Sequence, residues 1–195
     1  MSIHQAHTLF ERFCNLLRVE ARELGSAEGL LPVQIEVLHF LMQCNRYSDS
    51  LQGVSEFLGQ TKGSVSQTIK LLEGRGLIGK QPDVKDRRII HLRLTPAGRK
   101  LVKKVVPARF LSDSLRQLPQ EEVDRLIGEL RELLRLAQLA RGNRSFGSCE
   151  SCRFNEALDN GGFRCGLTGE SLSRKDIQKI CREHQYPTVS RGKLS

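Results

Sequence analysis

The chain has 195 residues, a formal net charge of +9, 38% hydrophobic and 5% aromatic residues, and six cysteines. That length allows one domain of ordinary size plus an appendage, and the charge favours a polyanionic partner, nucleic acid or an acidic membrane surface. No apolar run is long enough to span a bilayer, residues 1–5 lack a basic stretch leading into an apolar one, and no lipidation signal is present. The expectation is therefore a cytoplasmic protein with no membrane partner.

Residues 3–24 read as an amphipathic helix: Ile3, Phe10, Phe13, Cys14, Leu17, Ala21 and Leu24 share one broad stripe, with Glu11, Arg12, Arg18 and Arg22 elsewhere. Cys14 lies in that stripe with no tyrosine close in sequence, so a buried, inert thiol is expected. Pro32 is placed to open a second helix running to about Asn45, with Val33, Val37, Leu38 and Leu41 on its core side. His39 and Cys44 have no third ligand nearby and read as packing or surface residues. Leu51, Val54, Phe57 and Leu58 then make a short helix that Gly59 closes.

Thr61 is the expected N-cap of the next helix. Val65, Ile69 and Leu72 recur at the spacing that keeps one face apolar and turned to a core. The opposite face holds Gly63, Ser66, Gln67 and Lys70, with Lys62 and Ser64 near the start. Small hydroxyl, amide and ammonium groups approach base edges and phosphates closely, and a helix N-terminus offers unpaired N–H groups to a phosphate. An ordinary solvated face has the same composition, so the chain immediately after this helix decides the reading. Gly74 and Gly76 end the helix, Leu77 and Ile78 begin an extended run, and Gln81-Pro82-Asp83 starts a turn. A charged tip, Asp83-Val84-Lys85-Asp86-Arg87-Arg88, leads into Ile90, Leu92 and Leu94 at period two, with Ile89, His91 and Arg93 on the other side. Helix, strand, basic tip and strand make a winged helix. Between Lys62 and Arg93 eight Lys/Arg face three acids, the sign that phosphate attraction needs. With no Trp and two Tyr, stacking platforms for single strands are not evident, and the expected partner is double-stranded DNA.

Thr95 and Pro96 cap and open another helix, which Pro107 interrupts. A final helix follows Pro119, and its Val123, Leu126, Ile127, Leu130, Leu133, Leu134 and Ala137 exceed what one small domain needs to cover. A two-fold partner would account for them, so a homodimer is expected.

The run 61–68, then Leu71-Leu72-Glu73-Gly74-Arg75-Gly76-Leu77-Ile78, Asp86-Arg87-Arg88 and Leu94-Thr95-Pro96-Ala97-Gly98, resembles MarR-type transcription regulators over most of residues 1–140. The resemblance implies a homodimeric winged helix-turn-helix that dimerises through its N- and C-terminal helices. By it, the helix after Thr61 reads a major groove and the wing with Asp86 and Arg88 reaches the minor groove. It also implies a repressor that a small-molecule, metal or redox effector releases. One departure is visible: family wings often carry Asp-x-Arg ahead of Asp-Arg-Arg, and here Asp83-Val84-Lys85 holds that place. Lysine still contacts phosphate, with less direction than arginine.

From Gly142 the character changes. Residues 142–148 form a linker, and four of the six cysteines come within 33 residues: Cys149-x2-Cys152, twelve residues to Cys165, fifteen more to Cys181, with His184 three further on. In a reducing compartment such density argues for a metal over disulfides. Tetrahedral zinc on Cys149, Cys152, Cys165 and Cys181 is expected, with His184 the alternative ligand; an iron–sulfur cluster is the alternative cofactor, although the spacing matches no ferredoxin pattern. A helix starting near Ser171 or Ser173 is expected to carry Cys181.

The expected architecture is mainly α with a small β-wing. Residues 1–141 form the winged helix-turn-helix and dimerisation domain, and residues 142–195 a metal-bound extension. The DNA-contacting set is Lys62, Ser64, Ser66, Gln67, Lys70, Lys85, Asp86, Arg87 and Arg88. No paired carboxylates, nucleophile–base set or phosphate-cradling glycine loop points to an enzyme. The alternative function is a winged-helix adaptor for protein contacts with a metal-stabilised tail.

Overall fold

A computed structural model describes residues 2–142 and 144–187. Asn143 of the linker, and the end of the expected extension with its Arg191 and Lys193, lie outside the described residues.

Among the described residues there are seven helices and two small sheets: α1 (Ile3–Ala27), α2 (Pro32–Gln43), α3 (Leu51–Leu58), α4 (Lys62–Gly74), the hairpin β1 (Ile78–Pro82) and β2 (Ile90–Leu94), α5 (Pro96–Val105), α6 (Arg109–Leu115) and α7 (Gln120–Arg141). The chain beyond α7 adds a 3-10 turn, Cys149–Ser151, and the short strands β3 (Asn155–Ala157), β4 (Phe163–Cys165) and β5 (Ser171–Leu172). The mainly helical fold with a two-stranded antiparallel wing agrees with the sequence expectation; β1 pairs β2 from Ile78 opposite Leu94 to Pro82 opposite Ile90.

Local chemistry sets the helix starts. Ser2 and Gln5 form a reciprocal cap on α1, Thr61 Oγ1 accepts from Ser64 N at 3.2 Å on α4, and Thr95 Oγ1 accepts from Gly98 N at 3.1 Å on α5. The core lies between α2, α3, α4, α5 and the wing, where Val37, Leu38, Phe40, Val54, Val65, Leu72 and Val102 are fully enclosed. Two glycines permit its closest backbone approaches. A Cβ on Gly98 would lie 2.2 Å from the Leu77 carbonyl oxygen, and one on Gly53 would lie 2.0 Å from that of Ser48. The Leu-Thr-x-x-Gly motif thus works as a cap and a close contact together.

Two expectations need correction. Cys14 is exposed in the single chain, because the apolar stripe of α1 has little of its own chain to lie on: Ile3, Leu9, Phe10, Phe13 and Leu16 are also exposed. Cys181 is not on a helix. Residues 173–179 form turns organised by Ser173 and Asp176, after which the backbone pairs outward: Cys149 N donates to Lys179 O, and Ile180 N donates to Gln43 O at 3.0 Å. The chain beyond residue 142 packs against this core. Phe146 packs edge-on against Phe40 and Phe57, which stack with centroids 4.4 Å apart, and Ile180 lies against the core.

Candidate nucleic-acid interface and cysteine cluster

The turn between α3 and α4 is set by Gly59, left-handed at φ 64°, and by Ser55 Oγ donating to Gln60 O at 2.6 Å. It turns α4 so that Val65, Thr68, Ile69 and Leu72 face the core. Lys62, Ser64, Gln67 and Lys70 are exposed and Ser66 half-buried. Beside this face, α4 and the wing enclose a groove of about 850 Å³ whose lining includes Lys62, Ser66, Lys85, Asp86 and Arg88. Helix and wing residues singled out from sequence therefore meet along one surface.

The wing tip is built by its acids. Asp83 Oδ1 accepts from the backbone N–H groups of Lys85 at 2.7 Å and Asp86 at 2.9 Å. Asp86 accepts from Arg88 N, Nε and Nη2 at 3.0, 2.9 and 2.9 Å. The Arg88 guanidinium, 91% exposed, is aimed outward by a fixed carboxylate. That bond raises Arg88 further above its ordinary value and lowers Asp86. Lys85 and Arg87 are exposed beside it. Other members of the basic count are engaged internally. Arg75 donates to the Gly29 and Glu28 carbonyls at the α1–α2 turn, Lys80 pairs with Glu73 at 2.5 Å, and Arg93 approaches Asp49 at 2.9 Å.

Sequence reasoning missed the base of the wing. His91, assigned to the outward side of β2, is buried: its Nδ1 lies 2.6 Å from Asp49 Oδ1 and its Nε2 lies 3.0 Å from Asp83 Oδ2. Burial opposes charge on His91, but the two carboxylate hydrogen bonds outweigh it and the pKa is raised. His91 and the two backbone amides hold Asp83 well below the usual carboxylate range, while burial pushes Asp49 up against the pull of His91. The imidazole between two acids ties the loop before α3 to the wing tip. No local signal marks it, since Asp49 and His91 are 42 residues apart. Arg46 and Arg182, also missed, line the same groove.

The four cysteines come together. Cys149, Cys152, Cys165 and Cys181 line one cavity of about 30 Å³, with Phe154, Leu172 and Tyr47 around it. Cys149 and Cys181 perturb one another, which raises Cys149 and lowers Cys181. Among the described residues no group of three or more His, Cys, Asp or Glu side chains is arranged to hold a metal ion. His184 stands apart from this cavity. Its Nδ1 lies 2.5 Å from Ser145 Oγ, its Nε2 lies 3.0 Å from Ser151 Oγ, and Gly147 sits under its ring, so the histidine braces the linker.

A capped helix-turn-helix beside a basic hairpin defines a winged helix-turn-helix protein. The MarR family sequence profile matches residues 28–89. The HTH-type transcriptional regulator YkoM of Bacillus subtilis (strain 168) is 30% identical over 129 residues, which cover 60% of this chain and 82% of YkoM. The chain belongs to the MarR family of winged-helix transcription regulators. Two solved structures share the fold. The transcriptional regulator Tm0710 from Thermotoga maritima has a TM-score of 0.52 at 24% identity, covering 72% of this chain and 99% of Tm0710. The S. aureus MepR–DNA complex has a TM-score of 0.53 at 22% identity, covering 66% of this chain and 96% of MepR. Both are matched almost whole, so this chain carries length that they lack. Among the described residues no helix is long and apolar enough to cross a membrane.

Proposed function

We propose that this protein is a sequence-specific DNA-binding regulator, acting as a homodimeric repressor on a palindromic operator. The observation that carries the reading is the shared surface of α4 and the wing, where Lys62, Ser66, Lys85 and Arg88 meet around one groove. Ser64, Ser66 and Gln67 offer hydrogen bonds to base edges in a major groove, Lys62, Lys70 and Arg87 neutralise phosphate, and Arg88, held by Asp86, enters the adjacent minor groove. The dimer is supported by the apolar side chains α1 and α7 leave exposed, among them Phe10, Phe13, Leu130, Leu133 and Leu134. Two reading heads related by a two-fold axis match a palindrome. An effector that favours a dimer with wrongly spaced heads releases the operator. In a selection of bound fragments from random duplex DNA, the expected result is enrichment of an inverted repeat. Uniform weak binding without sequence preference would support the adaptor reading instead.

A further inference from the structure

We propose that Cys149, Cys152, Cys165 and Cys181 bind one thiophilic divalent cation of the zinc class, and that its occupancy fixes the wing through the loop 45–50. The proposal rests on the reading of α4 and the wing as the DNA-contacting head.

The site is built from three separate pieces of chain. Cys149 opens the 3-10 turn, Cys152 comes just after it, Cys165 ends β4, and Cys181 lies beyond the segment that pairs with Gln43 and Asn45. Four soft donors of one type suit zinc and leave no position for water, the pattern of a structural site. The cavity they line, about 30 Å³, has room for a single ion. The four sulfurs line one cavity but are not arranged for an ion as they stand, so ligation requires them to close to about 2.3 Å from a common centre, each ligating thiol giving its proton to solvent. The sheet it would staple is small, with strands of 3, 3 and 2 residues. So short a segment needs such a staple beyond its own packing.

Cys149 and the neighbours of Cys181 grip the same loop. Asn45 Nδ2 donates to Cys149 Sγ at 3.8 Å, and Asn45 N donates to the carbonyl of Ile180 at 2.9 Å. Arg182 N donates to Ser48 Oγ at 2.8 Å, and that hydroxyl donates to Asn45 Oδ1 at 2.8 Å. From the β4–β5 turn, Glu170 accepts from Arg46 and Tyr47, and the Thr168 hydroxyl lies 3.2 Å from that of Tyr47. The other end of the loop holds the wing: Asp49 O accepts from Leu92 N at 2.6 Å, and the Asp49 carboxylate meets His91, which meets Asp83 under the tip. Both ends of this relay are fixed, so a change in the cysteine site moves the loop, and the loop repositions Arg88.

The test uses the full chain purified anaerobically. Elemental analysis is expected to give one zinc per chain, and Co2+ substituted for zinc is expected to give thiolate charge-transfer and tetrahedral visible bands, both lost in Cys149→Ser/Cys181→Ser. Absence of zinc and of the cobalt bands in the wild-type chain overturns the site. Hydrogen exchange is then measured at the amides of Lys85, Asp86 and Leu92 with and without zinc, no DNA present. At least tenfold slower exchange on loading is expected; equal rates overturn the coupling. Asn45→Ala keeps all four cysteines, so it is expected to bind zinc while its wing amides stop responding, and a wild-type response in that variant overturns the relay. Because these readouts need no DNA, failure of the regulator reading shows separately, as absence of operator binding by a zinc-loaded, wing-ordered protein.

Discussion

The head and the tail of this molecule are ordered by opposite means. In the head, apolar side chains from α2, α3, α4, α5 and the wing close on one another until seven are fully enclosed. In the tail beyond residue 142, the buried side chains among the described residues are Ser145, Cys149, Cys181 and His184, all polar or sulfur-bearing. Apolar area stabilises a fold in proportion to what is covered and tolerates exchange among residues of like volume. Ligands and hydrogen-bonded polar groups act at single atoms, and the loss of one leaves its partner unsatisfied. The head is thus a scaffold, and the tail a set of point attachments laid upon it.

Substitution at the seam is the strongest way to break that contrast. Phe40→Ala removes a buried ring that stacks on Phe57 and meets Phe146, and is expected to cost about 3–5 kcal/mol in chemical denaturation. If the tail alone loosened while the head kept its midpoint, the two would not share a core. Next in size is Arg88→Ala, expected to weaken specific DNA binding about ten- to a hundredfold by fluorescence anisotropy. Sedimentation should show the dimer intact; its dissociation would remove the wing from the reading surface. Arg182→Met breaks the paired bonds to Glu56, 2.6 and 3.0 Å, which hold tail to head. It is expected to cost about 1 kcal/mol and speed proteolysis within residues 142–148. The smallest effect is one of pH. His91 holds its proton more tightly when folded than unfolded, so its contribution is complete below its ordinary value of 6.5 and is lost as pH rises through the raised folded value. Thermal stability should therefore decline over that window, and His91→Gln should flatten the decline.

What the sequence made legible was local. Thr61, Thr95 and the Gly59 turn announce their elements within four residues, and the period of Val65, Ile69 and Leu72 points α4 correctly. The Asp86–Arg88 bond could be anticipated because the two residues are neighbours. What stayed hidden is long-range. His91 looks outward by strand alternation, yet the loop before α3 brings Asp49 over it. Arg75, Lys80 and Arg93 add to a basic count, while the fold directs them to internal partners. Cys181 comes after a segment with helical spacing, but its backbone groups pair with two other stretches of chain. The convergence of four cysteines was foreseeable from type and number, their attachment to the α2–α3 loop was not.

Gly53 has a consequence for how this chain can change over generations. The Ser48 carbonyl occupies the space that any side chain there would need. Replacement by alanine would lift residue 48, and Asp49 with it, away from the wing. A library covering all twenty amino acids at position 53, sorted by DNA binding, should return glycine alone, whereas Gly79, with nothing near its missing Cβ, should accept many substitutes.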